Sequence, residues 1–288
     1  MPPPGTVCDR DAGRGPARCA GGSGPYAAGV PELPEVETYR RQAEQVVGRR
    51  VVRVLAPDSW YVKRARPDEV VAAVTGRRVE GARRIGKLLV LDLDDGSRLG
   101  LRFGMTGRLL VDGSASIDRL EYASPRDHPG WDRFALAFAG GGDLRIRDPR
   151  RLGGVTLEPD EDRLGVDALA LTPDDLVAAL GRSTAPLKAR LLDQARVAGI
   201  GNLVADEVLW RAGLDPARPA GSLSPDEVAR LHHRVVATTR ELMDRGGSHT
   251  GDLRGAVARD GLCPCDGTPL QRRRIGGRTT FSCPRHQT

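Results

Sequence analysis

Apolar positions along the chain change their period near residue 160. Val36, Tyr39, Ala43 and Val46 recur at helical spacing and Gly48 ends the run, which predicts an amphipathic helix. Short apolar runs follow: VVRVL (51–55), KLLVLDL (87–93), SRLGLRF (97–103), RLLVDG (108–113), RFALAF (133–138) and DLRIRD (143–148). Asp-Asp-Gly and Gly turns punctuate them, and Gly140–Gly142 joins the last two, the pattern of antiparallel strands. Beyond residue 160 the period becomes helical. PDDLVAAL (173–180) follows Thr172, a natural N-cap, while APLKARLLDQ (185–194) and NLVADEVLWRAG (202–213) flank VAGIG. Ser224-Pro225-Asp226-Glu227 is a capping box with proline at the first helical position. Val228, Leu231, Val235 and Leu242 continue that helix to Gly246-Gly247. From about residue 260 the chain reads as a small cysteine-bearing hairpin. The pattern predicts an α+β fold: an N-terminal β-sandwich with a leading helix, then a helical domain with a C-terminal hairpin. The expected units are an extension over 1–30, a sandwich over 31–160, a helical domain over 161–255 and the hairpin over 256–288.

Composition narrows the function. Residues 1–29 are rich in Pro, Gly and Ala without periodicity and without the apolar core of a secretory signal, so they are expected to be disordered or not part of the native protein. Cys8 and Cys19 within them have no nearby ligand partners. No apolar run approaches the roughly 18–20 residues that span a bilayer, which excludes an integral membrane helix and suits a cytoplasmic protein. Lys and Arg exceed Asp and Glu by 44 to 38, and the pI is near 9.4. A basic chain fits an anionic partner, most commonly nucleic acid. Five unevenly spaced cysteines do not form a secreted disulfide framework. Cys263, Cys265 and Cys283 crowd the C-terminus and point to a metal. His128, His232, His233 and His249 have no ligand spacing and read as surface or packing residues.

The most specific string is Pro31-Glu32-Leu33-Pro34-Glu35-Val36-Glu37-Thr38. It resembles the N-terminus of the formamidopyrimidine-DNA glycosylase/endonuclease VIII family, in which this proline is the first residue of the mature enzyme. The resemblance implies a base-excision-repair DNA glycosylase with abasic-site lyase activity. A terminal proline is a secondary amine, partly unprotonated near neutral pH, and it can attack a sugar C1′. An internal proline nitrogen is an amide and cannot. Thirty residues precede Pro31, so the written start is expected to be misassigned, with Val30 marking a start codon read as Met. The alternative is an inactive or differently processed protein. Glu32 is then the candidate general acid/base, and Glu35, one helical turn on, a supporting carboxylate. Acids at a helix N-terminus also simply favour its dipole.

Further motifs follow in the family's order. ARRIGKLLVLDL resembles the strand bearing a DNA-contacting lysine, placed by the resemblance on Lys87. RFGMTGRL (102–109) resembles the loop whose methionine fills the gap left by an everted base, here Met105. DPRRLGG (148–154) resembles the loop with an intercalating arginine, here Arg150, and an aromatic wedge, here Leu152 instead of phenylalanine. VAGIGNLVADEVLWRAGLDP resembles the helix–two-turn–helix motif, with Gly199 and Gly201 permitting the tight turn and Asn202 donating to a phosphate. Arg278 matches the arginine of the zinc hairpin. In that hairpin the family's two Cys-x2-Cys pairs become Cys263-Pro-Cys265-Asp266 and Cys283-Pro-Arg-His286. Cys263, Cys265, Cys283 and His286 are the expected ligands of one structural Zn²⁺, with Asp266 the alternative to Cys265.

Only residues 248–262 join Gly247 to Cys263. Most of the region that holds an 8-oxoguanine-capping loop in formamidopyrimidine-DNA glycosylases is missing. Ring-opened purines, oxidised pyrimidines and abasic sites therefore remain open as substrates. The expected partner is damaged double-stranded DNA, bound by a monomer with steep salt dependence. An abasic-site lyase with little glycosylase activity and a non-catalytic damaged-DNA binder are the alternatives.

Overall fold

The computed structural model describes residues 31–118, 120, 124 and 126–288; the expectations for Cys8, Cys19 and the N-terminal extension lie outside the described residues. Helix α1 (Leu33–Ala43) starts with proline in its first turn, and the Glu32 N–H donates to Glu35 Oε2 at 3.0 Å in a capping box. Strands β1 (Val51–Leu55) and β2 (Val62–Lys63), helix α2 (Pro67–Val74) and strands β3 (Val79–Ile85), β4 (Leu88–Leu93) and β5 (Arg98–Arg102) come next. They are followed by β6 (Arg108–Val111), β7 (Ser114–Ala115), β8 (Asp132–Phe138), β9 (Asp143–Arg147) and β10 (Gly154–Leu157).

These strands form two five-stranded sheets, ordered β1-β8-β9-β6-β7 and β2-β10-β5-β4-β3. Val54, Phe134, Leu136 and Ile146 of the first share one core with Leu89, Leu91, Leu101 and Val155 of the second, so the sheets face each other as a sandwich. The second unit contains β11 (Val166–Asp167), α3 (Pro173–Leu180), α4 (Leu187–Leu192), β12 (Val197–Ala198), α5 (Asn202–Ala212), α6 (Pro225–Asp244) and α7 (Asp252–Arg259). The hairpin β13 (Gln271–Ile275) and β14 (Arg278–Ser282) closes the chain. Ser224 and Glu227 form the expected capping box of α6.

Helix α1 belongs to both cores. Leu33 is buried with Leu187, Ile200 and Val204 of the helical unit, while Val36, Tyr39 and Ala43 are buried in the sandwich. Arg84 on β3 adds an ionic tie between the units. Its almost buried guanidinium pairs with Glu37 of α1 at 3.1 Å and Asp167 of β11 at 2.5 Å. Such a pair contributes chiefly by leaving no unpartnered buried charge.

Three elements differ from the sequence expectation. Lys87 lies in the Gly86–Lys87 turn between β3 and β4, where Ile85 pairs with Leu88, and not on a strand. Gly86 supplies the positive φ, 56°, that this turn needs. Helix α4 is shorter than 185–194, because Pro186 stands at its N-cap and Asp193 at its C-cap. Helix α7 occupies the stretch read as a connector, so the expected 255/256 division falls within it. Its register is set from outside: the Glu207 carboxylate accepts from Asp252 N and Leu253 N at 3.0 and 2.9 Å, a tertiary cap that the helix's own sequence does not contain.

Candidate active site and DNA interface

The N-terminal string folds against the first turn of α5. Glu32 is buried, and its carboxylate accepts from Leu203 N at 2.9 Å and Val204 N at 3.0 Å. These amides are otherwise orphaned at a helix start, where the dipole also favours negative charge. Gly201 is required at this contact. A Cβ there would stand 2.1 Å from Glu32 Cδ. Leu33 N–H donates to Gly199 O at 3.2 Å, and Gly199, with φ 110°, leaves no room for a side chain against Leu33.

Glu35 sits one turn further along α1 and is buried. Its Oε1 accepts from both the N–H and the hydroxyl of Ser248 at 2.7 Å. Burial, with the Glu32 charge second, pushes its pKa up from 4.5 to about 7. The folded chain thus holds this proton more tightly than the unfolded chain. The resulting stabilisation is complete below about pH 4.5 and is lost as pH rises through about 7. One pKa unit corresponds to 1.36 kcal/mol, so the full change is about 3 kcal/mol. Glu35→Gln is expected to flatten the dependence of unfolding free energy on pH across that window, as denaturant titrations at pH 4.5, 6 and 7.5 would show. An unaltered slope would contradict the assignment.

The Lys87 turn packs on the same loop: a Cβ on Gly86 would lie 2.7 Å from both Ala198 Cβ and Gly199 N. Lys87 is half-buried. Burial lowers its pKa, while the nearby Glu32 and Glu35 charges oppose that shift and Arg278 and Arg102 add to it. Asn202 begins α5, and its Oδ1 is buried without a hydrogen-bond partner among the described residues. Arg278 is exposed at the start of β14. The hairpin turn is pressed onto α4, where a Cβ on Gly276 would stand 3.0 Å from Ala189 Cβ.

Met105 and the Arg150–Leu152 loop form a second surface. Gly104 has φ 58°, and a Cβ there would meet Leu152 C at 2.5 Å, so the two loops touch backbone to backbone. The buried Asp148 organises them by accepting from Thr106 Oγ1 at 2.5 Å, Arg150 N at 3.2 Å and Gly153 N at 2.9 Å. Leu152 is left 48% exposed and Arg150 is exposed. A cavity of about 250 Å³ opens beside Asn202 between α5, α7 and the hairpin, with Leu203, Leu253, Val257 and Phe281 among its walls.

At the C-terminus, Cys263, Asp266 and Cys283 place their ligand atoms within 4.8 Å of one another. Both cysteines are buried. Trp210 Nε1–H points at Cys263 Sγ at 3.4 Å, and His286 N–H at Cys283 Sγ at 3.3 Å. Converging thiols that receive such donors, beside a carboxylate, suit a borderline-soft divalent metal. The grouping contains Cys263 and Cys283 of the expected ligands together with Asp266, the alternative to Cys265. The turn after Cys263 is closed by Gly267 N–H donating to Cys263 O at 2.9 Å. His286 is adjacent and outside the cluster, its Nε2 being 2.8 Å from Trp210 O and 3.9 Å from Cys265 Sγ.

The family model for the formamidopyrimidine-DNA glycosylase N-terminal domain matches residues 30–155, and that for its H2TH domain matches residues 164–253. The chain belongs to the formamidopyrimidine-DNA glycosylase family. It is 35% identical over 278 residues to the formamidopyrimidine-DNA glycosylase of Chloroflexus aggregans, a match covering 88% of this chain and 98% of that one. It is 37% identical over 284 residues to that of Paracoccus denitrificans, covering 88% and 99%. Among solved structures it resembles Lactococcus lactis Fpg bound to FAPY-dG-containing DNA, with TM-score 0.76, 28% identity and 89% and 100% of the two chains covered. It is similarly close to the same protein's complex with abasic-site DNA, with TM-score 0.75, 27% identity and 89% and 99% covered. The family fold, a β domain followed by a helical H2TH domain, is the one described above.

Two groups escaped the sequence reading. Lys188 is fully buried on α4; its Nζ lies 2.7 Å from Asp206 Oδ1 and donates to Thr280 Oγ1 at 2.8 Å and Thr279 O at 3.2 Å. It thereby joins α4, α5 and the hairpin. Burial raises the Asp206 pKa to about 6 and lowers that of Lys188. The signal was a lysine between Leu187 and Leu191 on the apolar side of a helix. Arg102 is exposed at the end of β5, without a carboxylate partner among the described residues, and its charge reaches Lys87.

Proposed function

We propose that Pro31, presented as a free N-terminal amine, is the nucleophile of a bifunctional DNA glycosylase and abasic-site lyase of base-excision repair. The observation that carries this reading is the seat of Glu32. A buried carboxylate next to Pro31 is pinned by the same helix start that begins with Asn202. Nucleophile, proton carrier and phosphate donor thus share one rigid junction between the two units.

The amine attacks C1′ of the damaged nucleotide and the bond from C1′ to the base breaks, the base leaving with the electron pair; Glu32 takes up the amine proton and delivers it to the ring oxygen as the C1′–O4′ bond opens, which leaves an iminium between the proline nitrogen and C1′. The resulting iminium acidifies the C2′ proton; its removal by a carboxylate expels the 3′ oxygen and cuts the strand. In the 288-residue chain the Pro31 nitrogen is an amide to Val30, so the active form begins at Pro31. Glu35 supports Glu32 through the capping box. Lys87, Asn202 and Arg278 hold phosphates around the lesion. Met105, Arg150 and Leu152 fill the space that the everted nucleotide leaves, offsetting part of a cost of a few kcal/mol in lost stacking.

Cys263, Asp266 and Cys283, with the adjacent His286, would hold one structural Zn²⁺, which would fix the hairpin that carries Arg278. The protein acts as a monomer on damaged duplex DNA in the cytoplasm. No helix among the described residues is long and apolar enough to cross a membrane.

The lesion class is tested with duplexes carrying one ring-opened purine, one oxidised pyrimidine or one abasic site. The expected result is base release from at least one damaged duplex together with strand cleavage. Cleavage at the abasic site with no base released from the others would favour the lyase-only reading.

A further inference from the structure

Trp60 is 66% exposed, the most exposed of the large apolar side chains among the described residues. An indole left in water forgoes much burial, which marks its surroundings as a contact surface more than a lone exposed leucine would. Those surroundings are built. Upstream, the Asp58 carboxylate takes Arg151 Nη2 at 2.6 Å and lies 3.6 Å from Arg133. Downstream, Tyr61 O accepts from Val155 N at 2.8 Å, and β2 runs parallel to β10. Tyr61 is wedged beneath Gly153, where a Cβ would stand 2.3 Å from its hydroxyl. The segment bearing Trp60 is therefore fastened on both sides to the loop that carries Arg150 and Leu152.

The indole is also held in place. Lys63 Nζ donates to Trp60 O at 2.6 Å and lies 4.6 Å from the centre of its ring. Arg64 follows with φ 61°, an uncommon conformation for a residue with a side chain. Lys63, Arg64 and Arg102 form no ion pair with a carboxylate among the described residues, so the strip beside Trp60 presents net positive charge toward a polyanion.

We propose that Trp60 is a second wedge. Its indole stacks on a base unstacked by eversion of the damaged nucleotide, next to Leu152, while Lys63 and Arg64 take the adjoining phosphates. Leu152 has no aromatic face of its own, and Trp60 supplies one from the neighbouring loop. This rests on the reading of the Arg150–Leu152 loop as the element that enters the duplex.

The test uses the chain beginning at Pro31, a duplex with one stable abasic-site analogue and the matched undamaged duplex. Trp60→Ala is expected to weaken binding to the analogue duplex about 10-fold and to the undamaged duplex less than 3-fold, as loss of one base–aromatic stack would. Trp60→Phe should recover most of that affinity. Tryptophan emission should be quenched when the parent binds the analogue, and the quenching should be largely absent in Trp60→Phe. If Trp60→Ala fails to fold, the phenylalanine variant still gives the quenching result. Equal losses on the two duplexes, or binding within 2-fold of the parent in a folded variant without Trp60-dependent quenching, would overturn the proposal. Failure of the parent itself to prefer the analogue duplex would instead overturn the underlying reading of the wedge loop.

Discussion

Gly201→Ala is expected to reduce base release by at least about 100-fold while leaving the fold intact. The backbone at Gly201, φ −114° and ψ −166°, suits any residue, so the restriction is purely steric. The added methyl would stand 2.1 Å from Glu32 Cδ. The carboxylate must swing away and lose two charge-assisted bonds to Leu203 N and Val204 N, each worth about 1.5–3 kcal/mol. A displaced Glu32 no longer reaches the sugar, and a positioned acid/base contributes about 10²–10⁴-fold. Single-turnover base release measures the loss. Because both changes act through one carboxylate, Gly201→Ala/Glu32→Gln should be little worse than either single variant. Multiplicative losses would show that Gly201 matters for another reason.

Removal of the proposed structural metal should be comparably severe. A hairpin of two five-residue strands has little core of its own, and structural zinc commonly supplies about 10–16 kcal/mol of folding free energy to such units. Buried Lys188 depends on the hairpin, since Thr279 and Thr280 provide two of its three partners. Loss of the metal would therefore leave Lys188 with Asp206 as its one partner, as well as releasing Arg278. Chelation is expected to weaken binding to abasic-site DNA at least about 100-fold and to lower the melting temperature. Metal content separates the ligand sets: Asp266→Ala should lose most of its zinc, whereas Cys265→Ser should keep one ion per chain. The opposite pattern would assign Cys265 as the ligand.

The parts legible in the sequence were those whose cause is local. Thr172 and Ser224 cap their helices with their own side chains, and Gly140–Gly142 turn where three consecutive positive φ angles demand glycine. The Pro31–Thr38 string was legible through its resemblance to the family whose models match residues 30–155 and 164–253. What escaped was set by distant residues. Helix α7 starts where Glu207 caps it from α5. Lys87 was read onto a strand because apolar residues follow it without a break, and only the pairing of Ile85 with Leu88 makes it a turn. Asp266 was the alternative to Cys265 in the sequence, and its grouping with Cys263 and Cys283 exists only in the folded hairpin. Lys188 shows the same limit, since a buried lysine needs partners from two other elements and none is near it in sequence.

The central claim is that a free Pro31 amine forms an iminium with the sugar. Borohydride trapping on duplex DNA with a single abasic site tests it directly, comparing a chain that begins at Pro31 with the full 288 residues. A covalent adduct is expected with the first chain alone, mapping to Pro31. No adduct with either chain, or an equal adduct on a lysine of the full chain, would contradict it.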